Sequence, residues 1–172
     1  MTIQDLGSIG ELVGAVATVA TLAYLAIQIR SNTNAVRSAA AQSVHEAFAT
    51  WYRMIAADEG LAEVNAKGLR DWSELTEVER ARCVATFMAI LLCGQDAHIK
   101  WREGELAPEL WTGWEYVMQN LLLAPGGKVF WKERGYLFGD AFRSYVDDDV
   151  MHRDAHPDAK PLGAFPIGSP AP

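Results

Sequence analysis

The sequence predicts an all-α protein in which one N-terminal transmembrane helix continues into a small cytoplasmic helical bundle. Three observations favour this fold class: an apolar run near the N-terminus, apolar residues at helical spacing further along, and no β-type alternation or internal repeat. Hydrophobic residues make up 50% of the 172 residues, and mean hydropathy is close to zero. Both values are high for a soluble domain carrying this many charges.

The apolar run extends from Ile9 to Ile29 and reads IGELVGAVATVATLAYLAIQI. Its 21 residues contain one formal charge, Glu11, and a helix of this length spans roughly 30 Å, the thickness of the hydrocarbon core. A cleaved signal peptide would start with cationic residues, whereas the N-terminus offers Asp5. A buried helix of a soluble domain is the remaining alternative, because many positions are Ala, Gly or Thr. We expect residues 1–30 to form a transmembrane helix.

Basic residues predict the orientation of this helix. Arg30 and Arg37 follow it directly and Arg53 comes later, while no Lys or Arg precedes it. The positive-inside rule therefore places the C-terminal domain in the cytoplasm, with the N-terminus outside. Cys83 and Cys93 agree with a reducing compartment: in one helix they would lie roughly 15 Å apart, too far for a disulfide.

Small and polar residues follow a 3-4 spacing along the predicted transmembrane helix. Lipid tails solvate Leu and Val, so helices in membranes associate through small residues that allow close backbone contact. We expect this small-residue face to mediate self-association; the general abundance of Gly and Ala in membrane helices is the alternative. The face consists of Gly7, Gly10, Gly14, Ala17, Thr21, Tyr24 and Gln28.

The same helix supports a second hypothesis, a small pore formed by several copies. Thr18, Thr21, Tyr24 and Gln28 would provide a polar lining, and a ring of Glu11 side chains would favour cations. The glycines suit close helix contact better than an open channel. Glu11 also has a simpler interpretation, since a carboxylate in the first turns of a helix is stabilised by the helix dipole.

Residues 31–151 are predicted to form the cytoplasmic helical bundle. The first helix continues to about Asp58, with weak helix formers at Ser31–Asn34 that favour a kink. A T-x-x-E capping box at Thr76 begins a long helix that ends near Glu103. Shorter helices follow over residues 109–123, 128–134 and 140–150, and residues 152–172 are predicted to be a disordered Pro/Gly-rich tail. Two apolar stripes should face the core: Val44, Phe48, Trp51 and Ile55, and then Val84, Phe87, Met88, Leu91 and Leu92.

Polar residues interrupt the long helix. Gln95, Asp96 and His98 are typical of a buried polar layer, and His45 could approach them from the first helix to form a polar pocket. A catalytic or ligand-binding site there is the less favoured interpretation, because no nucleophile or oxyanion element accompanies it. Six tryptophans are explained by packing of the bundle core.

No sequence motif identifies an enzymatic activity or a metal site. His152 and His156 have the i, i+4 spacing of a metal-binding pair, but they lie where the last helix runs into the Pro-rich tail, and solvated charge explains them. Phosphate-binding loops, nucleophile elbows and C-x-x-C pairs are absent. We therefore expect no cofactor, no metal and no enzymatic activity. The net charge of −7 disfavours nucleic acid as a partner.

Five segments resemble a widespread family of bacterial single-span membrane proteins with a helical cytoplasmic domain. They read GELVGAVATVATLAYLAIQIRSNTNAVR, WREGEL, WTGW, PGGKVFWKER and FRSYVDDD, and the resemblance covers roughly residues 7 to 150. It implies a location in the bacterial cytoplasmic (inner) membrane, and it supplies no activity or catalytic residue. The sequence as a whole predicts a membrane-anchored, homo-oligomeric scaffold or interaction protein, with membrane lipid, further copies of the chain and an unidentified protein as partners.

Overall fold

The computed structural model describes the backbone of residues 3–152 and the side chains of residues 10–152. Every regular element in this part of the chain is helical, which confirms the all-α prediction. The six α-helices are α1 (Ile3–Ala57), α2 (Glu59–Arg70), α3 (Glu77–Arg102), α4 (Pro108–Leu122), α5 (Pro125–Arg134) and α6 (Asp140–Tyr145). Two 3₁₀ turns, Trp72–Glu74 and Gly135–Leu137, and a π-helical turn, Val146–Val150, complete the fold. The predicted tail lies almost wholly outside the described residues.

Helix α1 is 55 residues long and continues through the predicted kink at Ser31–Asn34. The hydroxyl of Thr33 donates to the carbonyl oxygen of Ile29 at 3.0 Å, so this weak helix former is satisfied within the helix. The chain divides into two compact units between Ala39 and Ala40.

The first unit, up to Ala39, is the N-terminal part of α1. Every side chain described in it is exposed, including Leu12, Val19 and Ile27 at 67% each. Among the described helices, α1 alone is long and apolar enough to cross a membrane.

The second unit begins at Ala40, the first buried side chain in the described part of the chain. The starts of α3 and α4 match the sequence prediction closely, whereas α5 begins at Pro125, three residues before the predicted start at residue 128. The predicted capping box is confirmed, because the Thr76 hydroxyl accepts from the backbone N–H of Glu79 while the Glu79 carboxylate accepts from that of Thr76. Pro108 and Pro125 occupy the first positions of α4 and α5, where the missing N–H costs no hydrogen bond.

The core of the second unit is formed mainly by α3 and α4, and each of the other α-helices contributes buried side chains to it. The α1 stripe is confirmed: Val44 and Trp51 are buried, and Phe48 and Ile55 pack against the core. The α3 stripe is partly wrong, since Leu92 is 46% exposed. Other α3 side chains are fully buried beside Phe87 and Leu91, namely Cys83, Ile90 and Ala97.

Candidate sites on the exposed helix and around His98

The small-residue face of α1 is open along its described length. Gly10, Gly14, Ala17, Thr21, Tyr24 and Gln28 are all exposed, and Gly7 lies in the helical backbone. A Cβ atom built on Gly10 or Gly14 would meet nothing within 4 Å. These two positions therefore leave space for another helix to approach the backbone closely.

The polar side chains of this helix are satisfied locally. The Thr18 hydroxyl donates to the carbonyl of Gly14 at 2.9 Å, and the Thr21 hydroxyl donates to that of Ala17 at 2.8 Å. The Gln28 amide donates to the Tyr24 hydroxyl at 3.1 Å. None of these donors needs a water-filled lumen to satisfy it.

Glu11 does not lie in the first turn. Helix α1 begins at Ile3, so Glu11 is about two turns into the helix, beyond the range in which the helix dipole acts strongly. Its side chain is exposed. The helix dipole therefore contributes little to the stabilisation of this charge.

The structure separates the four residues of the predicted polar pocket. Asp96 is exposed and pairs with Lys100 at 2.5 Å, and Lys100 also donates to the Ser43 hydroxyl at 3.0 Å. His45 is exposed on α1, and no contact described in the structure joins it to the α3 residues. Gln95 and His98 do line one groove together.

His98 is the most enclosed of these residues, at 3% exposure. Four aromatic rings surround its imidazole, with ring centroids 4.8 to 5.8 Å away. They come from three separate parts of the fold and are the rings of Trp101, Trp111, Phe142 and Tyr145. Burial first, and then the nearby guanidinium of Arg102, hold the pKa of His98 below its ordinary value.

Sequence reasoning missed the partners of His98. Trp101 and Arg102 lie three and four residues further along α3, on the same helix face, so the helical spacing was a usable signal. The helical spacing could not predict the positions of Glu115 and Tyr145, because these residues lie on other helices. The Tyr145 hydroxyl donates to the carboxylate of Glu115, which is only 7% exposed, and thereby joins α6 to α4.

The His98 groove is an open depression of about 430 Å³ between α3 and α6, lined by residues that include Gln95, His98, Ile99, Arg102, Asp140 and Phe142. The side chain of Gln95 accepts a hydrogen bond from the backbone N–H of Gly139 at 2.7 Å, which fixes one wall. A second depression, reaching Trp101 and Tyr145, shares His98 and Arg102 with it. The groove is therefore the place where the enclosed imidazole meets the surface.

Neither cysteine is arranged for thiol chemistry. Cys83 and Cys93 are both free. Burial raises the pKa of Cys83 to about 12, and burial also raises the pKa of Cys93, with the Asp96 charge as a further cause. Reactive thiols need the opposite shift.

A metal site is not formed in the described part of the chain, where no group of three or more His, Cys, Asp or Glu side chains could hold an ion. The His152 Nδ1 lies 2.5 Å from the carbonyl oxygen of Asp147, and His156 lies outside the described residues.

No protein-family model matches this sequence, and no curated protein or solved structure is significantly similar to it. The resemblance to bacterial single-span membrane proteins therefore stays a prediction.

Proposed function

We propose that this chain is a membrane-anchored scaffold or interaction protein that self-associates through its N-terminal helix. The observation that carries the proposal is the exposure of apolar side chains along the first unit of α1, including Val13, Val16 and Leu22 at 61–62%. Burying one such side chain stabilises a protein by about 1.5–3 kcal/mol. A helix that exposes many apolar side chains to water lacks this stabilisation at every one of those positions. A lipid environment around the helix is therefore favoured.

The small-residue face supports the self-association part of the proposal. Gly10 and Gly14 leave open space on one side of the helix, while Leu12, Val16 and Val19 project elsewhere. Bulky apolar groups suit contact with lipid, and small groups suit contact with a second helix. The pore hypothesis gains no comparable support, because the Thr18 and Thr21 hydroxyls bond to their own helix.

The orientation belongs to the same proposal. Arg30 and Arg37 follow the apolar run, which favours the side of the membrane that retains positive charge. On this basis the second unit lies in the bacterial cytoplasm and presents its helical surface to a partner protein there.

Energy transfer between donor- and acceptor-labelled copies in lipid vesicles tests self-association. The wild-type chain should show transfer above the level expected for random mixing, over a series of protein-to-lipid ratios. The double variant Gly10→Leu, Gly14→Leu should fall to the random level, because leucines keep the two backbones apart. The control, Val16→Leu with Val19→Leu, adds bulk on the opposite face and should retain the wild-type signal. Random-level transfer for the wild type, or equal loss in both variants, contradicts the proposal.

A further inference from the structure

The imidazole of His98 makes no hydrogen bond with any described residue, and its ring nitrogens are not among the fully buried atoms that lack a partner. The side chain is 3% exposed, and the contacts around it within the described residues are ring contacts with Trp101, Trp111, Phe142 and Tyr145. His98 lines an open groove, so a ligand that enters the groove can hydrogen-bond to the imidazole.

Arg102 lies one helical turn beyond His98 and lines the same groove. Its guanidinium makes no hydrogen bond or ion pair with any described residue, unlike Arg82 and Arg143, which pair with carboxylates. Five N–H donors in a planar fork are therefore available beside the imidazole. A neutral imidazole also carries one N–H, and the low pKa of His98 keeps the ring neutral at pH 7.5. The two side chains together form a donor set suited to a carboxylate.

Carboxylates also lie on the rim of the groove, beside Arg102. Glu103 and Asp140 also line the groove, and the Asp140 charge is partly offset by Arg143 at 2.8 Å. These carboxylates repel a dianion such as a phosphate monoester more strongly than a monoanion, so a monoanion is the better match for the single Arg102 guanidinium.

Apolar and aromatic groups form the rest of the surface. Ile99 is 46% exposed and lines the groove, and the partly exposed rings of Trp101 and Tyr145 border the adjoining depression. Aromatic rings at the edge of a groove favour contact with a planar ring of the ligand. The volume of about 430 Å³ lies within the usual range of small-molecule sites.

We propose that the His98 groove binds a small aromatic monocarboxylate, with the Arg102 guanidinium and the His98 N–H donating to its carboxylate and the surrounding rings contacting its body. This binding is independent of the proposed membrane scaffold function, since all the residues involved lie in the second unit. Because linkage is reciprocal, the bound anion stabilises protonated His98 and raises its pKa.

The test uses benzoate and the full-length protein, labelled with ¹⁵N-histidine, in lipid nanodiscs. The His98 ring signals are identified by their loss in His98→Gln, and the unfolding temperature of that variant confirms that it folds. Benzoate at pH 7.5 should shift the His98 signals saturably, with half-saturation on the order of 1 mM. His45 and His152 should not move, and the His98 titration midpoint should rise with benzoate present.

Arg102→Gln should weaken benzoate binding about tenfold or more, since it removes a charge-assisted hydrogen bond. Arg134→Gln, which alters a different groove on α5, is the matched control and should bind as the wild type does. Benzamide and benzylamine should give no saturable shift, and hexanoate should bind more weakly than benzoate. The proposal is overturned by an unshifted His98 signal, by equal affinity of the two arginine variants, or by benzylamine or hexanoate binding as tightly as benzoate.

Discussion

Gly68 and Gly126 bring α2 and α5 into direct backbone contact, so that a Cβ atom on Gly126 would lie 1.6 Å from the carbonyl oxygen of Gly68. The indole N–H of Trp72 donates to the carbonyl oxygen of Gly126 at 2.6 Å, which secures the same contact from the side. Only a residue without a side chain allows this approach. The PGG sequence at 125–127 therefore has a second role besides ending α4. Its first glycine, Gly126, is the point at which α5 packs against α2.

Replacing Gly126 by Ala should destabilise the second unit by more than about 3 kcal/mol, because the added methyl overlaps backbone atoms that cannot rotate away. Urea unfolding followed by near-UV circular dichroism measures the change in the free energy of unfolding. Gly113 provides the control, since it is exposed on α4 and a Cβ there meets nothing within 4 Å. Gly113→Ala should stabilise the protein by about 0.5–1 kcal/mol. A Gly126→Ala protein as stable as this control would show that the two helices are not in contact.

His98 should make stability depend on pH. Its pKa is lowered in the folded state by burial and by Arg102, so the unfolded chain binds the proton more readily. The stabilisation is therefore complete above the unfolded pKa and is lost as pH falls through the folded one. The other ionisable groups around this cluster are Glu103 and Asp140, which line the same groove, and Glu115 and Tyr145, which bond to each other.

Between pH 7.5 and 5.5 the wild-type protein should lose stability, at most about 1.4 kcal/mol per pH unit from this single proton. His98→Gln should show a smaller loss over the same interval, and His45→Gln, at an exposed position, should behave as the wild type. Urea midpoints at several pH values give the comparison. Parallel curves for His98→Gln and the wild type would exclude His98 as the source.

The capping box at the start of α3 should contribute measurable stability. Thr76→Ala removes the acceptor for the Glu79 backbone N–H and should cost about 1 kcal/mol. Thr50→Ala, at an exposed position inside α1, is the matched control and should be within about 0.5 kcal/mol of the wild type. Thermal unfolding of the two variants side by side distinguishes a cap from a general effect of losing threonine.

The orientation proposal predicts that charge reversal after the membrane helix disturbs topology. Arg30→Glu with Arg37→Glu should reduce the fraction of chains whose C-terminus is cytoplasmic, because the flanking basic residues set the orientation. C-terminal fusions to green fluorescent protein and to alkaline phosphatase report the two sides of the membrane. Arg134→Glu, far from the apolar run, should leave the ratio unchanged. A wild-type chain active only as the phosphatase fusion would reverse the assignment.

Local signals account for most of the fold that the sequence could predict. Thr76 and Pro108 mark helix starts through chemistry that acts within one turn, and the structure places a helix at each. The prediction for α5 was wrong by three residues, because the helix expected from residue 128 begins at Pro125. The exposure of Leu92 could not be read in this way, since which side of a mostly apolar helix meets its neighbours depends on the fold.

In the candidate site, too, local helical geometry was predictable from the sequence and tertiary contacts were not. Asp96 and His98 are two residues apart, and at about 100° per residue they must point to different sides of α3; helical geometry alone could have separated them. The enclosure of His98 by Phe142 and Tyr145, more than forty residues later in the sequence, is a tertiary contact. No spacing rule over a single helix predicts it.

The distribution of aromatic residues along the chain gives the two units different optical signatures. All six tryptophans follow Ala40, and all six belong to or pack against the bundle core in the second unit. In the described part of the first unit the aromatic residue is Tyr24. Selective excitation of indole therefore reports the folding of the second unit in the unlabelled protein, with no emission from the described part of the first unit.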